Sequence, residues 1–238
     1  LEINPLPADR YRGNLESLGT YIEATGVTGK FTLQGGLRYQ NDQINVKFDV
    51  GNIPGRLGKV IKNYEKLYPS LNLKYAATEK INLRFANSYS TTLPEFKEIA
   101  PFEYVSAVGQ VTRGNKDIEA SLNTNYDLKF EYFPSKGQLI SFTSFYKKIK
   151  DPINKVQDRG ASGAFSYFNT SEKATVYGIE IEGRLELIDG TKNNTANLDV
   201  NINASRMWHK QDLKEIVDEN GDFINTYRYK GITQEGLQ

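Results

Sequence analysis

Apolar and polar residues alternate with period two along much of the chain. From Lys80, residues Ile81, Leu83, Phe85 and Tyr89 fall on one side and Lys80, Asn82, Arg84, Ser88 and Ser90 on the other. From Leu122, residues Tyr126, Leu128, Phe130 and Tyr132 oppose Asn123, Asn125, Asp127, Lys129 and Glu131. Ile179, Ile181, Leu185 and Leu187 oppose Glu180, Glu182, Arg184 and Glu186, and Leu198, Val200 and Ile202 oppose Asp199, Asn201 and Asn203. An earlier segment sets Phe31, Leu33, Leu37 and Tyr39 against Thr32, Gln34, Arg38 and Gln40. A helix would smear both classes around its circumference, whereas a strand separates them onto two faces. These strands run ~10–14 residues, against ~5–6 in ordinary globular proteins. A tilted strand needs ~9–11 residues to cross the hydrocarbon layer of a membrane. One segment resists: Gln138 to Lys147 carries apolar residues on both sides, and the pattern does not assign its faces.

A soluble antiparallel sheet with its polar side outward fits the alternation equally well. Connection lengths decide between them. Thr25–Thr28, Ala77–Glu79, Pro134–Gly137 and Asp189–Asn194 read as short links, while Asn41–Lys66, Thr92–Glu119 and Asp151–Ser171 read as long ones. Tight turns at one end and long loops at the other describe an outer-membrane barrel, and soluble β-domains rarely repeat loops of ~20 residues at one end. The expected fold is therefore all-β: an antiparallel up-and-down meander forming part of a transmembrane β-barrel, about eight strands of a larger one. Tyr39, Tyr89 and Trp208 fall toward the outer strand ends, and Tyr75, Phe130 and Tyr132 toward the inner ends, as interfacial aromatic bands should. The charged face carries Arg84, Asp127, Lys129, Glu131, Glu180, Glu182 and Arg184. Such groups need water or partners, so this face lines the lumen, where the charges pair across strands or touch whatever fills the barrel.

Composition narrows the chemistry. With 30 Lys+Arg against 29 Asp+Glu, the net charge of +1 argues against a dedicated nucleic-acid binder. No Cys and a single His, His209, remove disulfide scaffolds, zinc ribbons and thiol catalysis, and leave little for a metal site or a catalytic triad. No apolar run reaches the ~18 residues of a spanning helix, which says nothing against barrel strands. The residues Leu1 to Pro5 have neither region of a signal peptide. The carboxylates Glu180, Glu182 and Glu186 look like a cluster, yet their spacing only reports a strand face, so no catalytic residue, cofactor or metal is expected. Asp218 to Asp222 lacks the spacing of a calcium loop and reads as an acidic hairpin around Asn220-Gly221. On the loop Leu93–Lys116, Phe96, Phe102, Tyr104 and Arg113 are candidate ligand contacts, because binding residues concentrate on loops. The competing reading is that Pro94, Phe96, Pro101 and Phe102 fold the loop onto the barrel wall.

Three elements occur in order between Pro69 and Gly183. They are Leu93-Pro94-Glu95-Phe96-Lys97-Glu98-Ile99-Ala100-Pro101-Phe102, then Gly114-Asn115-Lys116-Asp117-Ile118, then Phe145-Tyr146-Lys147-Lys148-Ile149-Lys150-Asp151-Pro152-Ile153. Together with the preceding strands Pro69–Tyr75 and Asn82–Ser90, this order resembles the C-terminal barrel of TonB-dependent outer-membrane receptors. The resemblance implies active import of a small molecule or glycan across the outer membrane of a Gram-negative bacterium. In such receptors an N-terminal plug fills a barrel of about 22 strands, and a TonB complex drives uptake of iron chelates, cobalamin or glycans. Neither a plug nor a TonB box is recognisable here, and no aromatic strand ends the chain at Gln238. Residues 1–238 are thus expected to be an internal piece of one barrel domain. Its partners would be outer-membrane lipid, the plug of the same full-length protein and the TonB complex acting through the N-terminal region. An adhesin, a soluble carbohydrate-binding β-domain and a passive porin are the rival classes, and the mixed loop chemistry names no substrate.

Overall fold

A computed structural model describes residues 10–49, 57–101, 103–157, 163–188, 196–213 and 233–237. Its main element is one antiparallel sheet. The strands β1 (Arg10–Thr28), β2 (Phe31–Asp49), β3 (Leu57–Ala76) and β4 (Ile81–Thr92) follow one another. Then come β7 (Ser121–Tyr132), β8 (Leu139–Lys150), β11 (Ser171–Ile188), β12 (Leu198–Leu213) and the short β13 (Thr233–Leu237). Sheet order equals chain order, β1-β2-β3-β4-β7-β8-β11-β12-β13, so the sheet is an up-and-down meander. The links skipped in that numbering fold separately. They hold the short helix α1 (Phe96–Ile99) with β5 (Glu103–Val105), β6 (Val111–Arg113), β9 (Ile153–Gln157) and β10 (Phe165–Asn169), and these four strands form a second sheet in the order β5-β6-β10-β9.

Register fixes the faces, because a residue and its cross-strand partner point the same way. Leu33 pairs with Leu73, Leu73 with Phe85, and Phe85 with Leu128, giving one apolar row. Asn82 and Arg84 stand opposite Glu131 and Lys129 on the other face. Leu128 remains 56% exposed, Ile181 48% and Ile202 57%, so among the described residues no layer covers the apolar side. That is the state of a surface made for lipid.

Two expectations change. Asn41–Lys66 is not a loop: β2 continues to Asp49 and β3 starts at Leu57, so most of that segment is strand. The alternation misleads there because its sense inverts. Through Tyr39 the outward residues of β2 are Phe31, Leu33 and Leu37; beyond it they are Asn41, Gln43, Asn45 and Lys47. The other face changes the opposite way, from Gln34, Arg38, Gln40 and Asp42 to the buried Ile44 and Val46. Such an exchange is what leaving a membrane requires, since water replaces lipid outside while packed chain replaces water inside. Likewise Thr25–Thr28 is the end of β1, and the turn is Gly29-Lys30, with Gly29 at a left-handed φ of 55°.

The segment that pattern left unassigned is β8. Its register points Ile140, Phe142 and Tyr146 to the apolar face and Ser141, Thr143 and Phe145 to the polar one. Phe145 can lie there because its cross-strand partner is Gly178: a Cβ on Gly178 would fall 2.6 Å from the tip of the Phe145 ring. The expected link Asp189–Asn194 and the hairpin Asp218–Asp222 lie outside the described residues.

Candidate functional site

The two long links that remain after this correction fold together against the polar face at the extended ends of β2 and β3. In the first, Pro94 is buried and the Glu98 carboxylate accepts a hydrogen bond from the Glu95 N–H at 2.9 Å, closing the first turn of α1. Ile99 and Ala100 are fully buried and join Ile44, Val46 and Ile118 in a core, with Val60, Tyr64, Phe96 and Tyr167 packed around it. Phe96 covers Gly13 of β1, where a Cβ would lie 2.3 Å from its ring. Gly114 is required by close approach of backbone: a Cβ there would sit 2.0 Å from the Ala100 carbonyl oxygen.

Asn115 ties the links to each other. Its backbone N–H donates to the Glu98 carbonyl at 2.6 Å, and its side-chain amide donates to the Tyr167 carbonyl of β10 at 2.8 Å. Asn169 makes the complementary tie. Its amide donates to the Glu119 and Asp151 carbonyls at 2.9 and 2.8 Å, while its oxygen accepts from the Glu119 N–H at 2.8 Å. Lys62 of β3, its side chain only 9% exposed, holds Glu119 at 2.6 Å. The result is a small cap knotted by side-chain amides, with β6 and β10 running parallel inside it.

The four loop candidates meet different fates. Phe96 is half-buried in the packing just described, which is a contact with the wall. Tyr104 donates to the Lys97 carbonyl, and burial raises its phenol above the ordinary range. Arg113 is paired with Glu103 on the exposed edge of β5 and β6. Phe102 lies outside the described residues. Pattern reading missed Lys97, Glu119, Asn169 and Tyr167. Lys97 sits beside Glu95 at 2.8 Å, which holds its ammonium above the usual range, and burial likewise raises Tyr167. Lys97 and Asn115 stood within the Leu93–Phe102 and Gly114–Ile118 elements, while Glu119, Asn169 and Tyr167 lay outside all three.

On the polar face, five of the expected residues form one chain of charges. Arg84 meets Glu131 at 2.7 Å; Lys129 lies 4.0 Å from Glu131 and 3.6 Å from Glu182; Arg184 meets Glu182 at 2.5 Å. Lys129 therefore bridges β7 to β11 over β8. Glu180 accepts from the Asn203 amide at 3.1 Å, and Asp127 shares the face opposite Ala86 and Phe145. Among the described residues no group of three or more His, Asp or Glu is placed to hold a metal ion.

A family model described as TonB dependent receptor-like, beta-barrel, matches residues 2–233. The chain belongs to the TonB-dependent receptor β-barrel family. A ferric enterobactin receptor of Pseudomonas aeruginosa is 30% identical over 144 residues, a match spanning 52% of this chain and 19% of that protein. Among solved structures, the FrpB iron transporter of Neisseria meningitidis (F3-3 variant) superimposes with a TM-score of 0.52 at 16% identity, over 94% of this chain and 38% of the other. The copper transporter OprC does so with 0.56 at 14% identity, over 85% and 33%. Identities this low speak for the fold alone, and each match takes in less than half of the relative's length. In this TonB-dependent receptor barrel the three sequence elements are accounted for: the first builds α1 and its core, the second knots the cap, and the third ends β8.

Proposed function

We propose that this chain forms wall and cap of an outer-membrane receptor that imports a metal chelate into a Gram-negative cell. The observation that carries the reading is the pairing of an uncovered apolar face with a charged face on which the long links fold. A sheet so divided separates lipid from an enclosed aqueous space, and a cap over that space controls what enters it. Metal chelates are favoured over cobalamin or glycans because the relative at 30% identity is named for ferric enterobactin. The ion-paired wall of Arg84, Lys129, Glu131, Glu182 and Arg184 then faces the plug of the full-length protein, and energy comes from a TonB complex through that plug. Cap residues exposed toward solvent, Arg113 and Lys97 first among them, are the cargo contacts to test.

The experiment is uptake by cells lacking the gene and complemented with it intact. Radio-iron supplied as a catecholate chelate should accumulate, and a protonophore or loss of TonB should stop it. Uptake that survives both treatments would indicate a passive porin, and no uptake of iron or copper chelates with retained cobalamin or glycan uptake would overturn the cargo class.

A further inference from the structure

Tight turns close the hairpins β1–β2, β3–β4 and β7–β8 at one end of the sheet, the periplasmic end of an outer-membrane barrel. The seams between hairpins, β2–β3, β4–β7 and β8–β11, have no covalent closure there, because their links lie at the opposite end. At each of these three seams the residue just before the strand leaving the turn reaches across. Lys30, before β2, accepts the Ala76 N–H on its carbonyl at 2.8 Å and donates its ammonium to the Ala77 carbonyl at 2.7 Å. Lys80, before β4, repeats the grip. Its carbonyl accepts the Phe133 N–H at 2.8 Å, and its ammonium donates to the Pro134 carbonyl at 2.9 Å. Gln138, before β8, donates its side-chain amide to the Glu186 carbonyl of β11 at 3.2 Å.

The recurrence has a physical reason. Past the last rung of a ladder a strand's carbonyl has no backbone partner, and neighbouring strands ~4.8 Å apart are free to splay. A long side chain ending in a donor spans that gap, and Lys and Gln both do. The ammonium makes the stronger bond, because it is charge-assisted. Lys136, exposed at the tip of the third turn, makes no such bond among the described residues, so a cation on the rim is not by itself a clasp. We propose that Lys30, Lys80 and Gln138 are seam clasps that keep neighbouring hairpins from parting at the periplasmic mouth when the plug is pulled. They stand where the sheet has the least to hold it: within a hairpin the chain itself closes the mouth, and between hairpins only hydrogen bonds do. The inference requires the barrel but no particular cargo.

The test uses the full-length receptor in phosphatidylcholine vesicles, without cargo or TonB, so that its outcome is independent of the import reading. Amide exchange at Ala76 and Phe133 is read by fragmentation mass spectrometry. K30M keeps the stem and loses the donor; it should speed exchange at Ala76 by about fivefold and leave Phe133 unchanged. K80M should do the reverse. K30R and K80R, which keep a charged donor, should match wild type, as should K136M. Spin labels on T28C and S135C, roughly 20 Å apart across two seams, then report the mouth, and K30M/K80M should broaden their distance distribution. Unchanged exchange in the single variants overturns the clasp, and so does K136M acting like either, which would make rim charge the cause. An unbroadened distribution overturns the role at the mouth. Insertion is read separately from heat-modifiable electrophoretic mobility; failure of wild type to insert overturns the membrane reading itself.

Discussion

At the scale of single residues, the alternation of β8 breaks at Phe145 because a neighbour makes room. Phe145 points into the polar face because Gly178 has no side chain. A Cβ at Gly178 would meet not only that ring but the Arg206 carbonyl at 2.5 Å and the Met207 Cα at 3.0 Å. Backbone on one side and a ring on the other leave no cheap relaxation. G178V should therefore cost ~1–3 kcal/mol, as overpacking does, seen as a lower urea midpoint for the receptor folded in vesicles. The double variant F145A/G178V should recover part of the loss, since the ring is one of the two obstacles. No recovery would mean that the Arg206 and Met207 backbone alone sets the cost. Sequence could not show this notch. An apolar residue on each side of β8 was visible, but the glycine that explains it lies 33 positions away and only register joins them.

At the scale of elements, the strands were legible where they cross lipid and illegible where they leave it. Between Phe31 and Tyr39 the alternation reports a membrane, because the two solvents differ on the two sides. Past Asn41 the solvents exchange, the apolar residues change face, and the eye reads a loop where β2 runs on to Asp49. The four strands of the cap are shorter still, three to five residues each, too short for any period to register. What sequence did display was their fastening, the Phe96-to-Phe102 and Gly114-to-Ile118 elements, without the geometry that unites them. That fastening is acid-sensitive in a definite direction. Burial raises the Glu98 carboxyl above its ordinary value near 4.5, and its hydrogen bond from the Glu95 N–H opposes that shift only in part. The folded cap thus binds a proton more tightly than the opened cap. Closure is favoured below the ordinary value and loses that advantage as pH rises through the raised one. Hydrogen exchange over residues 96–118, corrected for intrinsic rates, should slow when the pH is lowered from neutral toward 4.5. In E98Q, which keeps an acceptor but no titration, this dependence should vanish. An unchanged pH profile in E98Q would place the titrating group elsewhere.

At the scale of the whole molecule, one asymmetry governs the rest: a sheet with lipid on one side and an ion-paired, capped interior on the other. It can be tested by putting the same charge on each side. Leu128 sits mid-strand on the apolar face between Phe85 and Ser144; Thr143, on the next strand, faces the other way opposite Glu180. L128K should cost ~2–4 kcal/mol if it enters the middle of a bilayer. T143K stands in a hydrated space between Glu180 on one side and Lys129 on the other, so attraction and repulsion largely offset and it should stay within ~1 kcal/mol of wild type. Folding the receptor into phosphatidylcholine vesicles over a urea series measures both. Comparable losses would mean that the two faces share one solvent, and the barrel reading would fail with them. The contrast should also depend on the vesicle. Thinner bilayers bring Leu128 nearer the interface and shrink the penalty of L128K, while T143K, buried from lipid, should not respond to thickness at all. A soluble sheet would predict no such dependence for either.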